Sequence, residues 1–300
     1  MNKVVFYFIA LIILLLPLEQ LEGNSVEIIK AITCSFFILT LGVAHGAIDN
    51  VLYGIKGKTA NIRFIAIYVF IALLNALLWV LFPSLGLISF LVLSAYHFGQ
   101  SQLIDCNLEG KWQNRILFFS WGALLLSGLL FLNGEEIAHL NIDSPLTLAV
   151  LEPLISASLW LTLLFAVPTL GILGYQTHRG AISLNRFLLE IYLLLLTAIA
   201  FYLFSLLLGF TLYFILLHST KVLIQEFDFL KKSDLLKSKK QFIKMLLPFT
   251  LLALVGAGLT VALLALLNVD FFSPVWALVF TSSITLPHAF VMDAFYKKAS

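Results

Sequence analysis

Leu41-Gly-Val-Ala-His45-Gly-Ala-Ile-Asp49-Asn50 places an imidazole, a carboxylate and an amide inside an otherwise apolar run. That run, residues 28–50, is long enough to cross a bilayer, because about 20 apolar residues of helix span the hydrocarbon core. Ionisable side chains at this depth are costly and are rarely present without a role. The stretch therefore predicts a transmembrane helix whose polar residues serve a functional site.

The composition of the whole chain supports a membrane location. Of its 300 residues, 61% are hydrophobic and only 11% are charged, and the mean hydropathy is +1.03. A soluble globular domain carries about twice that proportion of charge. The net charge of +2 is too small to indicate a nucleic-acid partner. We therefore predict one integral membrane domain over residues 1–300.

Apolar runs predict an all-α, polytopic membrane bundle of eight to ten transmembrane helices. The lower number allows for a short first run and for a long sixth run that contains Pro153 and Pro168. The ten candidate spans are 3–17, 28–50, 62–82, 84–104, 114–133, 147–174, 185–206, 208–228, 243–267 and 272–295.

The charged residues between these runs predict the orientation. Basic residues accumulate on the cytoplasmic side of membrane proteins, and here they fall in alternate loops, whereas the opposite loops are acidic. Both termini are therefore predicted to be cytoplasmic. The basic set is Lys3, Lys56, Lys58, Arg63, Lys111, Arg115, Arg179, Arg186, the run 231–244, Lys297 and Lys298; the acidic set is Glu19, Glu22, Glu27, Glu135, Glu136, Asp143 and Asp270.

Four histidines, His45, His97, His218 and His288, lie in predicted spans that share one direction. At about 1.5 Å per residue, all four come to mid-membrane depth or somewhat nearer the cytoplasm. Each one alone is most simply a hydrogen-bonding residue. Four at one depth favour convergence on a metal, because imidazole suits iron, copper, zinc and nickel.

Asp49 follows His45 by four residues, which on a helix puts the carboxylate one turn further along the same face. We expect it to accept the ring N–H of His45 that does not bind the metal, as carboxylates commonly do beside metal-bound histidines.

Four motifs resemble those of the Brp/Blh family of β-carotene 15,15′-dioxygenases. They are Gly42-Val-Ala-His45-Gly-Ala-Ile-Asp49, Tyr96-His97-Phe98-Gly99, Tyr213-Phe-x-x-x-His218-Ser219 and Leu286-Pro287-His288, in the family's order between residues 41 and 292. The resemblance implies a membrane enzyme that uses Fe(2+) and O2 to cleave β-carotene at its central double bond into all-trans-retinal, often for a rhodopsin. It also implies iron ligation by His45, His97 and His218, and a bacterial-type cytoplasmic membrane.

Two positions depart from the family pattern. Ala44 replaces a proline, and Val222 stands where the family typically carries a second histidine of a His-Ser-x-Arg-His motif. Either His288 completes the metal site, or three histidines suffice with water, or cleavage has been lost. The alternatives to an enzyme are a non-catalytic carotenoid- or retinal-binding membrane protein and a proton-coupled transporter that uses Asp49, Asp105, Glu190 and the histidines.

Overall fold

The computed structural model describes residues 3–54, 57–106, 108, 110–140, 145–266 and 274–299. Within these ranges the regular structure is entirely helical, which confirms the predicted all-α class. Its elements are α1 (Lys3–Glu19), α2 (Asn24–Phe37), π1 (Ile38–Gly42), α3 (Asp49–Leu52), α4 (Lys58–Leu81), α5 (Pro83–Leu103), α6 (Lys111–Leu132), α7 (Gly134–Ala138), α8 (Pro145–His178), α9 (Leu184–Leu203), α10 (Leu206–Leu212), π2 (Tyr213–Ser219), α11 (Thr220–Lys232), α12 (Lys239–Leu266) and α13 (Pro274–Ala299). Two of these, π1 and π2, are π-helices.

Eight stretches within the described residues are long and apolar enough to cross a membrane. Two of the ten predicted spans do not reach this standard. α1 has only 17 residues, and the second half of α5 is too polar, with Gln100, Ser101 and Gln102 beyond His97. The cytoplasmic location of both termini stays a prediction, and three residues that entered it, Lys56, Asp143 and Asp270, lie outside the described residues.

The second predicted span differs most from its prediction. Instead of one helix over residues 28–50, α2 passes into π1, and residues 45–48 then form turns before α3 begins at Asp49. The turns are tight, because the N–H groups of Gly46 and Ala47 donate to carbonyls three residues earlier. His45 therefore lies on a turn within the bundle rather than on a regular helix.

The centre of the bundle is held by a close crossing of α5 and α6. A side chain at Gly99 would place its Cβ 1.8 Å from the Phe118 carbonyl oxygen, and one at Gly122 would come 1.8 Å from that of Ala95. The backbones can approach this closely only because both residues lack a side chain, as small residues allow in membrane helices. The crossing lies next to His97 on α5 and so fixes that part of the site.

Candidate metal centre

The side chains of His45, His97, His218 and His288 come together in the interior. They belong to the turn after π1, to α5, to π2 and to α13, and they are only 2–5% exposed. The ring centroid of His45 lies 5.0 Å from that of His218 and 4.7 Å from that of His288. The centroid of His97 lies 5.0 Å and 5.1 Å from the same two rings. The four imidazoles thus form a ring around one centre.

Three of the four are spaced as a metal site requires. His45, His97 and His288 each offer a ring nitrogen, and these three atoms lie within 4.8 Å of one another. Metal–nitrogen bonds are about 2.0–2.2 Å long, so one ion between them fits after small side-chain adjustments. His218 adjoins this group from the side of π2. The donor set is all imidazole, which suits a first-row transition metal.

The hydrogen bonds of the imidazoles give an independent test of whether a metal fits. Five buried ring nitrogens have no hydrogen-bond partner among the described residues: Nδ1 of His45, both nitrogens of His97, Nε2 of His218 and Nε2 of His288. Buried polar atoms are nearly always paired, and each exception needs an explanation. At least one free nitrogen on each of four adjacent imidazoles is the arrangement that a metal ion would satisfy.

Asp49 supports His288 and not His45, so the predicted partner was wrong. The Nδ1–H group of His288 donates to both oxygens of Asp49 at 3.0 Å. The Tyr68 hydroxyl donates to Asp49 Oδ2 at 3.1 Å and also lies 3.4 Å from the Ile284 carbonyl oxygen. The cause is the turn over residues 45–48, which removes the helical register that would have aligned Asp49 with His45.

The carboxylate fixes the tautomer of His288. With its proton on Nδ1, the ring presents the lone pair of Nε2 to the centre, as in the carboxylate–histidine pairs that surround many metal sites. Gly46 makes the approach possible, because a Cβ there would lie 3.1 Å from Nδ1 of His288.

His218 is oriented by a hydroxyl instead of a carboxylate. Ser101 Oγ lies 3.1 Å from Nδ1 of His218, and its own proton is donated to the Phe98 carbonyl oxygen at 3.0 Å. Since the hydroxyl has one proton, its oxygen is left to accept the Nδ1–H of His218. The Nε2 lone pair of His218 is therefore free, as it is in His288.

Val222 lies in an apolar cluster. The resemblance leads us to expect a second histidine of the π2–α11 segment at this position. The valine is 0% exposed and belongs to a group of buried residues that includes Ile48, Val291 and Met292. Val291 and Met292 follow His288 by three and four residues on α13. The ring that lies nearest to His45 among the described contacts is that of His288.

A second buried polar cluster lies beside the histidines, between α5, α9 and α11. Glu190, which is 0% exposed, accepts from Gln102 Nε2 at 2.9 Å and from Arg186 at 2.8 Å. Asp105 pairs with Arg186 and with Lys221, in each case at 3.1 Å. Every charge in this cluster has an opposite partner.

The fold and the site together define an integral, multi-pass membrane protein with a buried four-histidine centre. A family model for beta-carotene 15,15'-dioxygenase matches residues 36–296, and the chain belongs to this family. No curated protein and no solved structure gives a match.

Proposed function

We propose that this protein is an iron-dependent membrane oxygenase that cleaves β-carotene, or a related carotenoid, at the central 15,15′ double bond to give all-trans-retinal. One double bond and one O2 become two aldehyde groups, so the atoms balance without a reductant. The observation that carries the proposal is the convergence of four buried histidines whose ring nitrogens lack partners. Membership of the family supplies the substrate class.

The residues that would hold Fe(2+) are His45, His97 and His288, with His218 as the fourth. The ion would supply activation of O2 beside the polyene. Asp49 and Ser101 hold the rings of His288 and His218 with their Nε2 lone pairs directed inward. Burial of the centre excludes water, while the surrounding apolar bundle admits a lipophilic substrate from the bilayer. We place the enzyme in a bacterial-type cytoplasmic membrane, where its product would be available to a rhodopsin.

A non-catalytic carotenoid-binding protein is the second candidate, and Val222 is the observation that favours it. In an enzyme, either His288 takes the place of the histidine that Val222 replaces or three histidines hold the iron together with water, whereas a binder needs neither arrangement. The hypothesis of a proton-coupled transporter loses support, because Asp105 forms a salt bridge with Lys221 and Glu190 forms one with Arg186. A proton relay would need carboxyl groups that are free to exchange protons.

Coexpression with the pathway of a β-carotene-producing bacterium tests the proposal. We expect the cells to lose their orange colour and to accumulate retinal, and the purified protein to contain about one iron ion per chain. His139→Ala is the matched control, because this exposed histidine lies outside the cluster. Cells that stay orange while iron-loaded wild-type protein is present would identify a binder. Retinal formation without any bound metal would refute the metal centre.

A further inference from the structure

The two π-helices pack against each other beside the histidines. π1 ends at Gly42, three residues before His45, and π2 contains His218. π-helical turns are rare and occur frequently at functional sites. Between the two segments lies the ring of Phe214, and a Cβ at Gly42 would come 2.5 Å from its Cε1 atom. The glycine thus leaves the space that this ring occupies.

Phe214 belongs to a column of stacked rings that ends at the metal centre. The column consists of Phe210, Phe214 and His218, which are spaced four residues apart. The centroids of Phe210 and Phe214 are 5.4 Å apart with an interplanar angle of 13°. Those of Phe214 and His218 are also 5.4 Å apart, at 18°. These are offset-stacked arrangements, in which neighbouring ring faces are nearly parallel.

The column runs from accessible surface to the buried centre. Phe210 and Phe214 are partly exposed, whereas His218 is buried. Phe98 lies beside the column, with its centroid 4.8 Å from that of His218 and 6.3 Å from that of Phe214. Leu207, one turn before Phe210, is exposed on the bundle surface. The faces of neighbouring rings are turned towards each other, so a flat apolar molecule lying along the column would meet mainly the edges of Phe210 and Phe214.

We infer that the column, with Phe98 beside it, is the subsite that receives one half of a long conjugated polyene and leads its central double bond to the His218 side of the metal centre. The choice of ligand rests on the proposed function. A polyene presents a continuous π-face to which the edges of aromatic rings are attracted, and a saturated lipid chain has no such face. Seating one half on the column also fixes how far the polyene advances, so Phe210 and Phe214 would determine which bond is cleaved.

An apolar groove elsewhere on the bundle is the competing binding path for the polyene. It lies under α1, has a cavity volume of about 410 Å³, and is lined by Ala10, Leu11, Leu14, Leu216 and Thr220 among others. None of the four histidines lines it. Filling this groove should leave polyene binding unchanged if the column is the binding path.

Binding of β-carotene by metal-free protein in detergent tests the inference without relying on cleavage. The readout is the circular dichroism that the carotenoid acquires when it is held in a chiral site. We expect Phe210→Ala and Phe214→Ala each to weaken binding about three- to tenfold, which is the value of an edge-to-face aromatic contact. Phe70→Ala, an exposed ring on α4, and Ala10→Phe, which fills the groove under α1, should not change it.

In the metal-loaded enzyme, Phe210→Ala should keep wild-type iron content and release shorter and longer aldehydes besides retinal. Loss of binding in Ala10→Phe with none in Phe210→Ala would overturn the inference in favour of the groove. Binding that is equal in all four variants would overturn it as well. A protein that never cleaves β-carotene but binds it in a Phe210-dependent way would refute the proposed enzyme and leave the subsite intact.

Discussion

Two buried polar clusters lie side by side in this bundle, and they differ in what their atoms contact. In the cluster of Gln102, Asp105, Arg186, Glu190 and Lys221, every charge has an opposite partner. In the cluster of four histidines, five ring nitrogens lack a hydrogen-bond partner in the part of the chain that the structure describes. Unpaired polar atoms in a membrane interior cost several kcal/mol each. The charges of the paired cluster neutralise one another, whereas the histidine cluster keeps free nitrogens for the metal ion that we propose.

The largest loss of activity and of bound iron is expected from replacing a histidine of the four-histidine cluster. His45→Ala, His97→Ala and His288→Ala should each abolish retinal formation and leave the purified protein without stoichiometric iron, because each removes one of the three ring nitrogens that lie within 4.8 Å of one another. Metal analysis and retinal assay in the coexpressing cells measure both effects. Normal activity in His288→Ala alone would show that the site consists of His45, His97 and His218.

A smaller loss of iron binding is expected from changing Asp49, which accepts the hydrogen bond from Nδ1 of His288. Asp49→Asn keeps the shape of the side chain but removes the charge that holds the Nδ1 proton, so iron affinity should fall about 10- to 100-fold. Competition with a chelator of known affinity measures the change. An unchanged affinity would mean that His288 binds no metal.

Tyr68 should have the next smaller effect, because it acts on Asp49 and not on a histidine. Tyr68→Phe removes one hydrogen bond, worth about 1 kcal/mol, and should weaken iron binding roughly fivefold while the overall structure is kept. Tyr192→Phe, an exposed tyrosine on α9, is the matched control. Equal effects of the two substitutions would show that Tyr68 has no role in positioning Asp49.

The comparison also shows what the sequence could and could not predict. Most helix ranges followed from apolar length, apart from the turns over residues 45–48, and the convergence of the four histidines followed from their predicted common depth. The partner of Asp49 could not be predicted from the sequence, because His288 is 239 residues away. The tight turn at Gly46 also breaks the helical spacing on which the prediction relied. Tyr68 gave no local signal at all. Contacts between distant helices depend on how the helices pack, and a periodic pattern within one helix carries no information about that packing.

The smallest effect on iron is expected from the paired cluster. Glu190→Gln removes a charge that Arg186 and Gln102 contact, so the protein should lose roughly 1.5–3 kcal/mol of stability, the value of a hydrogen bond to a charged group. Thermal unfolding in detergent measures the loss, with the exposed Glu22→Gln as control. Iron per folded chain should stay at the wild-type value, because none of the five ring nitrogens contacts Glu190. If iron is lost while the protein remains folded, the two clusters are one functional unit, and internally paired charges are no sign of a purely structural role.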